Sequence, residues 1–113
     1  MLIYGAGEAG RQLAVSLKDD TEFNIVGFLD DNRQLHRQII HGKLIYSLSN
    51  LEHLIHNKGI NIIFLALPGV SRSKRNQIIE KLKKYKISVK SLPSISEIVD
   101  GRVTVSDIKD LKI

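Results

Sequence analysis

The chain has 113 residues, of which 42% are hydrophobic and 26% charged, a composition typical of one globular domain with its own apolar core. It contains no cysteine, which excludes disulfide bridges, a thiol nucleophile and cysteine metal ligands within it. No apolar run approaches the ~18 residues that a membrane-spanning helix needs, and the first residues do not have the pattern of a signal peptide.

The net charge of +5 is concentrated in one segment. Residues 72–90 hold eight cationic side chains against Glu80, a net charge of +7, whereas the rest of the chain carries −2. Such a run is ordinarily a solvated helix face. The alternatives are a surface that meets anionic lipid head groups or a neighbouring acidic domain. We do not expect nucleic acid as a partner, because aromatic residues are few and no nucleic-acid-reading motif occurs.

The first half of the chain alternates between strand and helix patterns. Residues 2–4 predict a short apolar strand, and residues 9–17 predict a helix whose apolar positions share one face. Residues 24–29 predict a second strand, nearly continuous in apolar residues, as in a strand buried on both faces. Residues 33–42 predict a polar loop with room for one helical turn, and residues 43–46 predict another short strand.

The second half predicts two further helices and two further strands, punctuated by glycine and proline. Their ranges are a helix over 51–57 capped by Ser49 or Asn50, a strand over 60–67, a helix from Ser71 or Ser73 to about 85, and a strand over 87–92. Strands that alternate with helices predict a mainly parallel sheet with right-handed crossovers. The fold class is therefore α/β, a single-domain, three-layer Rossmann-like fold.

The C-terminal residues predict a connector. Residues 103–105 form a short β pattern, Ser106 and Asp107 form a helix cap, and an apolar helix pattern begins at Ile108. We assign residues 1–100 to a Rossmann-like nucleotide-binding domain and residues 101–113 to the start of a connector to a further domain. We interpret the chain as a domain of a longer protein.

A glycine motif joins the first strand to the first helix. The residues Gly5-Ala6-Gly7-Glu8-Ala9-Gly10 form G-x-G-x-x-G, and Asp30 closes the second strand twenty residues later, which is the dinucleotide-binding fingerprint. In that motif Gly5 permits a tight turn, Gly7 lets the backbone approach a pyrophosphate, and Gly10 lets the helix pack close to the strand. The alternative is a structural turn whose ligand site has lapsed.

Charged residues around this loop bear on which nucleotide it binds. A carboxylate at Asp30 can accept hydrogen bonds from both ribose hydroxyls and repels a 2′-phosphate, which favours NAD over NADP. Arg33 and Arg37 nearby soften that preference, and a turn residue is the alternative role of Asp30. Glu8 suits the helix dipole but competes with a phosphate, and Arg11 one turn later offsets it.

A third candidate element follows the most apolar strand. The loop over residues 67–73 lies at the predicted switch point, where the crevice of such sheets opens. Its serines and Arg72 can contact a phosphate or sugar, although helix capping explains the serines equally well. The candidate cofactor-binding residues are Gly5, Gly7, Glu8, Ala9, Gly10, Arg11, Asp30, Asp31, Pro68, Ser71 and Arg72.

The chain has no recognisable catalytic set. Tyr-x-x-x-Lys does not occur, and no serine lies in a nucleophile elbow. We expect the four histidines to be surface residues rather than metal ligands, because they have no suitably spaced carboxylate or cysteine partner. The segment therefore predicts binding without catalysis of its own.

Three blocks carry a family resemblance: residues 2–10, 26–31 and 63–68. They resemble the first cytoplasmic domain of membrane-bound bacterial nucleotide-sugar dehydratases. This is the polysaccharide-biosynthesis group of UDP-N-acetylglucosamine 4,6-dehydratase and UDP-D-quinovosamine 4-dehydrogenase. The tail over residues 94–101, with Val103-Thr104-Val105, resembles the segment that leads toward the catalytic domain in the same proteins. The resemblance covers nearly the whole chain.

The resemblance implies a parent protein at the cytoplasmic face of the inner membrane, with membrane helices before this domain and a catalytic dehydrogenase domain after it. The parent would act on a UDP-linked amino sugar, and we expect it to form a homo-oligomer. The ligand implied for this domain is NAD or NADP, with a nucleotide sugar or coenzyme A as alternatives. A different reading is a non-catalytic regulatory or oligomerisation module of a sugar-phosphate transferase, which carries a similar domain.

Overall fold

In a computed structural model, the described residues are 1–20 and 23–91, together with the backbone of Lys109–Asp110. They form seven strands and three α-helices. The strands are β1 Leu2–Tyr4, β2 Gly27–Leu29, β3 Ile39–Ile40, β4 Lys43–Tyr46, β5 Ile62–Leu65, β6 Ser88–Ser91 and β7 Lys109–Asp110; the helices are α1 Glu8–Ser16, α2 Leu51–Lys58 and α3 Arg72–Leu82.

The strands lie in the order β3-β4-β2-β1-β5-β6-β7. The five central strands, β4 to β6 in that order, run parallel, and β3 and β7 are antiparallel to their neighbours at the two edges. After β1 the chain passes through α1 to β2 on one side, and it later returns to place β5 on the other side of β1. This reversal makes the carboxyl ends of β1 and β5 the topological switch point, where ligands of open α/β sheets bind.

Helices cover both faces of the sheet, as the predicted three-layer α/β fold requires. Because successive side chains of a strand point to opposite faces, Ile3 joins the apolar cluster that includes Leu13 of α1. Leu2 and Tyr4 join a second cluster that includes residues of α2 and α3. These β1 side chains are at most 1% exposed. The Rossmann-like fold class predicted from the sequence is therefore confirmed.

One segment differs from its predicted loop. Residues 33–42 contain a 3-10 turn at Arg33–Leu35 and the two-residue strand β3. The strand forms because His41 and Gly42 adopt φ angles of 51° and 76°, the positive values that a tight two-residue hairpin turn requires. Ile39 and Ile40 then pair with the first two residues of β4.

The predicted C-terminal helix pattern is wrong at the two residues that the structure describes there. Lys109–Asp110 form β7, antiparallel to Lys90 and Ser91 of β6. Without it β6 would present unpaired backbone N–H and C=O groups along its edge, and pairing with that edge outweighs a short helical pattern. The predicted strand at 103–105 and the cap at Ser106 and Asp107 lie outside the described residues.

Within the described ranges, none of the helices combines the length and the apolar character needed to cross a membrane.

Candidate functional site

Two glycines of the loop between β1 and α1 are required by the fold. Gly5 has a φ of 116°, and a Cβ on it would lie 2.4 Å from the carbonyl oxygen of Ala66. A Cβ on Gly10 would lie 1.9 Å from the carbonyl oxygen of Gly5, because α1 packs directly against the loop. These are the tight turn and the close helix packing that the motif predicts.

Gly7 is different from its two neighbours in the motif. It is the N-cap residue of α1, with φ −81° and ψ −163°, a backbone conformation open to any residue. A Cβ placed on it would meet no protein atom within 4 Å other than those of its two chain neighbours. Packing therefore does not require a glycine here, and the open space in front of Gly7 is available to a ligand.

That space belongs to a cleft of about 570 Å³, called here the main cleft. It opens at the carboxyl ends of β1 and β5, which is the switch point of the sheet. Its walls are formed by Gly5, Gly7, Glu8, Ala9, Gln12, Asp30 and residues 66–70. The structure thus brings together six of the predicted site residues: Gly5, Gly7, Glu8, Ala9, Asp30 and Pro68.

Asp30 is bound to the glycine loop itself. The Ala6 N–H donates to Oδ2 of Asp30 (2.8 Å), and the Asn32 N–H donates to Oδ1 (2.8 Å). The carboxylate therefore joins the end of β2 to the loop and forms an Asx turn, the alternative role considered above. Each oxygen still has a second acceptor position, so this arrangement is compatible with a ligand hydroxyl in the cleft.

Asp31 lies outside the lining of the main cleft and contacts two other elements. Its Oδ1 accepts a hydrogen bond from the Tyr4 hydroxyl (2.7 Å), and its Oδ2 lies 4.0 Å from Nζ of Lys74. Burial raises the pKa of Tyr4 well above its usual range, and the hydrogen bond to Asp31 and the charges of Asp31 and Asp30 act in the same direction. Tyr4 is therefore a neutral donor that holds Asp31 near the end of β1.

The other predicted residues have separate positions. Ser71 caps α3, since its Oγ accepts a hydrogen bond from the Lys74 N–H (3.2 Å). Arg72, the first residue of α3, is exposed and lines a shallow depression on that helix. Arg11 donates from Nε to the carbonyl oxygen of Ala6 (3.2 Å). Gly10 lies beneath the loop and does not line the main cleft.

Arg11 also lines a second depression of about 490 Å³, called here the outer groove. It lies between α1 and the turn that joins β3 to β4. Its walls are formed by Gly7, Glu8, Arg11, Gln12, Val15 and His41.

The candidate residues chosen from the sequence leave out several residues that line the main cleft. Gln12 is one helical turn after Glu8, and its Nε2 donates to Oε1 of Glu8 (3.4 Å). Ala66, Leu67, Gly69 and Val70 follow β5 directly. Leu67, Gly69 and Val70 belong to the loop over residues 67–73 that the sequence predicts at the switch point, whereas Gln12 and Ala66 lie outside the predicted site elements.

The charge of the main cleft is unusual for a phosphate site. Glu8 and Asp30 are the charged residues among those that line it, and both are acidic. The walls formed by Leu67, Pro68 and Val70 are apolar. This surface suits a neutral group that carries hydroxyl donors. In the part of the chain that the structure describes, no three His, Cys, Asp or Glu residues are grouped as a metal site.

Comparison with known proteins identifies relatives of this chain. A family model described as the PglD N-terminal domain matches residues 1–82. The crystal structure of UDP-D-quinovosamine 4-dehydrogenase from Vibrio fischeri has a TM-score of 0.87 and 38% sequence identity, and the match covers 99% of this chain and 92% of that one. The resemblance inferred from the sequence is confirmed.

A longer relative is the probable polysaccharide biosynthesis protein EpsC of Bacillus subtilis, which is 27% identical over 114 residues. The match covers 98% of this chain but 19% of EpsC, so this chain spans about a fifth of the length of that relative. The chain is thus a domain of a kind found in proteins of nucleotide-sugar and polysaccharide biosynthesis.

A more distant similarity concerns the fold alone. RSP, a Rex-family repressor, has a TM-score of 0.68 and 20% identity over 94% of this chain and 48% of that one. Its structure in complex with beta-NADH has a TM-score of 0.67 and 23% identity, over 94% of this chain and 53% of that one.

Proposed function

This chain belongs to the PglD N-terminal domain family, and from that membership and the geometry of the main cleft we propose that it binds a nucleotide. The ligand is a nucleotide sugar or a nicotinamide dinucleotide, and the domain binds it for a protein that acts on a UDP-linked amino sugar in surface polysaccharide biosynthesis.

One observation carries this proposal: the cleft at the switch point opens in front of Gly7, where the protein leaves the volume of a side chain empty. A ligand can therefore approach the backbone at the start of α1 more closely than any other residue type would allow. That approach is what nucleotide-binding glycine loops provide.

The remaining lining fits the nucleoside part of such a ligand. Asp30 retains an acceptor position on each carboxylate oxygen for ribose hydroxyls. The apolar residues after β5 offer a surface on which a base can pack. Glu8 is the first residue of α1, and its negative charge would repel a phosphate that approached the first turn of that helix. The phosphates of the ligand are therefore expected to lie beside Glu8 rather than in front of it.

The wider context of the domain is part of the same proposal. We place it in a parent protein with membrane helices and a catalytic domain, a homo-oligomer at the cytoplasmic face of the inner membrane. The relatives named for sugar dehydrogenation and polysaccharide biosynthesis support the role in sugar metabolism, while the membrane location and the homo-oligomer follow from the sequence resemblance alone. We assign the reaction itself to that catalytic domain, since this sequence has neither a Tyr-x-x-x-Lys motif nor a nucleophile elbow.

The test is a calorimetric titration of the purified chain with NAD, NADP, UDP-N-acetylglucosamine and coenzyme A. We expect saturable binding of one nucleotide ligand with one site per chain. If coenzyme A bound and the other three did not, the proposed ligand class would be wrong and coenzyme A would take its place. Failure of all four to bind would overturn the ligand role and leave the regulatory or oligomerisation module, whose assembly state light scattering would measure.

A further inference from the structure

The main cleft and the outer groove meet on either side of one short piece of backbone. Both are lined by Gly7, Glu8 and Gln12, so they are neighbouring compartments separated by the start of α1. Leaving aside its two chain neighbours, a Cβ on Gly7 would meet no protein atom within 4 Å, so position 7 itself leaves open space between them. A ligand longer than a nucleoside can therefore extend from one compartment into the other.

The two compartments differ in charge. The charged lining residues of the main cleft are Glu8 and Asp30, which would repel a phosphate. The outer groove adds the guanidinium of Arg11 and the imidazole of His41, against Glu8 as its acidic member. Opposite charges attract most strongly at short range. The phosphates of a ligand are therefore better accommodated in the outer groove than in the main cleft.

Both of these side chains are available to a ligand. Arg11 is held by the hydrogen bond from its Nε to the Ala6 carbonyl, which fixes the side chain without neutralising it. The carboxylate of Glu8 accepts from Gln12 at 3.4 Å. Neither Arg11 nor His41 forms an ion pair with any described residue. His41 is exposed at the hairpin turn, where its φ of 51° is set by the β3–β4 connection.

We propose that the nucleoside of the ligand occupies the main cleft, and that its diphosphate passes Gly7 into the outer groove and is bound there by Arg11 and His41. This inference rests on the proposed function and makes it more specific. The ligand class is a nucleoside diphosphate whose second substituent extends beyond the groove, and it includes both nucleotide sugars and dinucleotides. The side chains that bind the diphosphate belong to α1 and to the β3–β4 turn rather than to the loop after β5.

The experiment compares diphosphate and nucleoside probes on the intact chain. UDP and NAD are titrated by calorimetry, and uridine and adenosine are followed by chemical-shift changes of backbone amides. Arg11→Gln removes the guanidinium and His41→Asn removes the imidazole, and asparagine tolerates the positive φ at position 41. Each variant should weaken the diphosphate that binds by tenfold or more and leave the affinity for its nucleoside unchanged.

Two further variants test whether a loss of affinity comes from the lost charge in the groove or from a change in the structure of the loop. Lys18→Gln removes one positive charge from an exposed position just after α1, outside the groove, and should leave all affinities unchanged. Arg11→Lys keeps the charge but loses the Nε bond to Ala6, and it should retain more diphosphate affinity than Arg11→Gln. His41→Asn does not touch the glycine loop, so its result stands even if the Arg11 variants lose stability.

The outcomes distinguish this inference from the function on which it rests. If UDP or NAD binds and neither Arg11→Gln nor His41→Asn weakens it, the inference is wrong and nucleotide binding stands. The inference is also wrong if the variants reduce the affinities for the nucleoside and the diphosphate by the same factor. If the unaltered chain binds none of the four probes, the proposed function fails and the inference fails with it.

Discussion

Gly7 and Gly10 lie three residues apart in the same loop, yet a side chain would meet very different surroundings at the two positions. Valine at Gly7 would project into the open main cleft from an extended backbone that β-branched residues accept. We expect Gly7→Val to retain the thermal unfolding midpoint within a few degrees and to abolish nucleotide binding. Calorimetry and thermal denaturation on the same sample would measure both.

Gly10→Ala is the matched control for that variant. Alanine in a helix is favoured over glycine by about 1 kcal/mol, but its Cβ would lie 1.9 Å from the backbone oxygen of Gly5. The backbone must shift to relieve that overlap, and overpacking costs ~1–3 kcal/mol or more. We therefore expect Gly10→Ala to lower the free energy of unfolding. If Gly10→Ala proved as stable as Gly7→Val, the proposed division between a structural glycine and a ligand-facing glycine would be contradicted.

Asp30 offers a second prediction at the scale of single residues. Its carboxylate accepts from two backbone N–H groups, and asparagine in its place would turn one acceptor into an NH₂ donor facing another donor. A lost partner of this kind costs ~1–3 kcal/mol. We therefore expect Asp30→Asn to lower the free energy of unfolding by ~1–2 kcal/mol without any ligand, measured by urea denaturation. A residue that only bound ribose would show no such change.

Three elements meet at Asp31, and the Tyr4 hydroxyl that donates to it makes stability depend on pH. Tyr4 ends β1, Asp31 follows β2, and Lys74 belongs to α3. Because burial and the nearby carboxylates raise the pKa of Tyr4 in the folded chain, the unfolded chain loses this proton at a lower pH than the folded chain does. The unfolded state then binds fewer protons, so the free energy of unfolding falls as pH rises above ~10, the ordinary tyrosine value.

Tyr4→Phe tests this link between the elements. The phenylalanine variant should lose less stability between about pH 9 and pH 11 than the unaltered chain, because the group that titrates is gone. It should also be less stable at pH 7, where the hydrogen bond to Asp31 contributes ~1 kcal/mol or somewhat more. Chemical denaturation across this pH range measures both effects. Identical pH slopes for the two chains would show that Tyr4 does not couple folding to pH.

The sequence predicted those elements whose pattern is local and strong. The apolar run before the glycine motif and the apolar residues before Pro68 correspond to β1 and β5, although β5 occupies only the middle of the predicted strand. Ser71, one of the two predicted starts of α3, is its N-cap, and Gly59 ends α2 with a φ of 65°. Turn and cap residues act through their immediate neighbours, which explains why these boundaries could be predicted.

What could not be predicted depends on contacts between distant residues. The strand β3 is two residues long, too short for an alternating pattern, and it exists because β4 offers it an edge. The hydrogen bond from the Ala6 N–H to Asp30 joins residues 24 positions apart. The motif alone therefore could not show whether the Asp30 carboxylate binds a ribose or holds the glycine loop in place. His41 lines the outer groove because it lies in the β3–β4 hairpin, a segment that the sequence predicted to be a loop.

At the scale of the whole molecule, charge is segregated rather than spread. Residues 72–90 carry a net charge of +7, whereas the charged lining residues of the main cleft are acidic. The cationic side chains of α3 and the turn after it are largely exposed, and among the described residues Lys83 and Lys74 have acidic neighbours. Among the residues whose burial the structure describes, the exposed large hydrophobic side chains are Val15, Ile39 and Leu44, and all three lie on other elements. A cationic surface that lacks exposed large hydrophobic side chains is better suited to contact anionic lipid head groups than to form a packed protein–protein interface.

We therefore expect the chain to co-sediment with phosphatidylserine-containing vesicles but not with phosphatidylcholine vesicles at ~0.05 M salt, and to dissociate at ~0.5 M salt, where screening shortens the range of the attraction. Lys81→Glu with Lys84→Glu should reduce the bound fraction several-fold, because both side chains are exposed on α3 or directly after it. Lys18→Glu with Lys58→Glu changes the net charge equally at exposed positions outside that segment and should have a much smaller effect. Equal losses for the two pairs would attribute the binding to net charge alone, and the absence of binding by the unaltered chain would leave the segment as a solvated face.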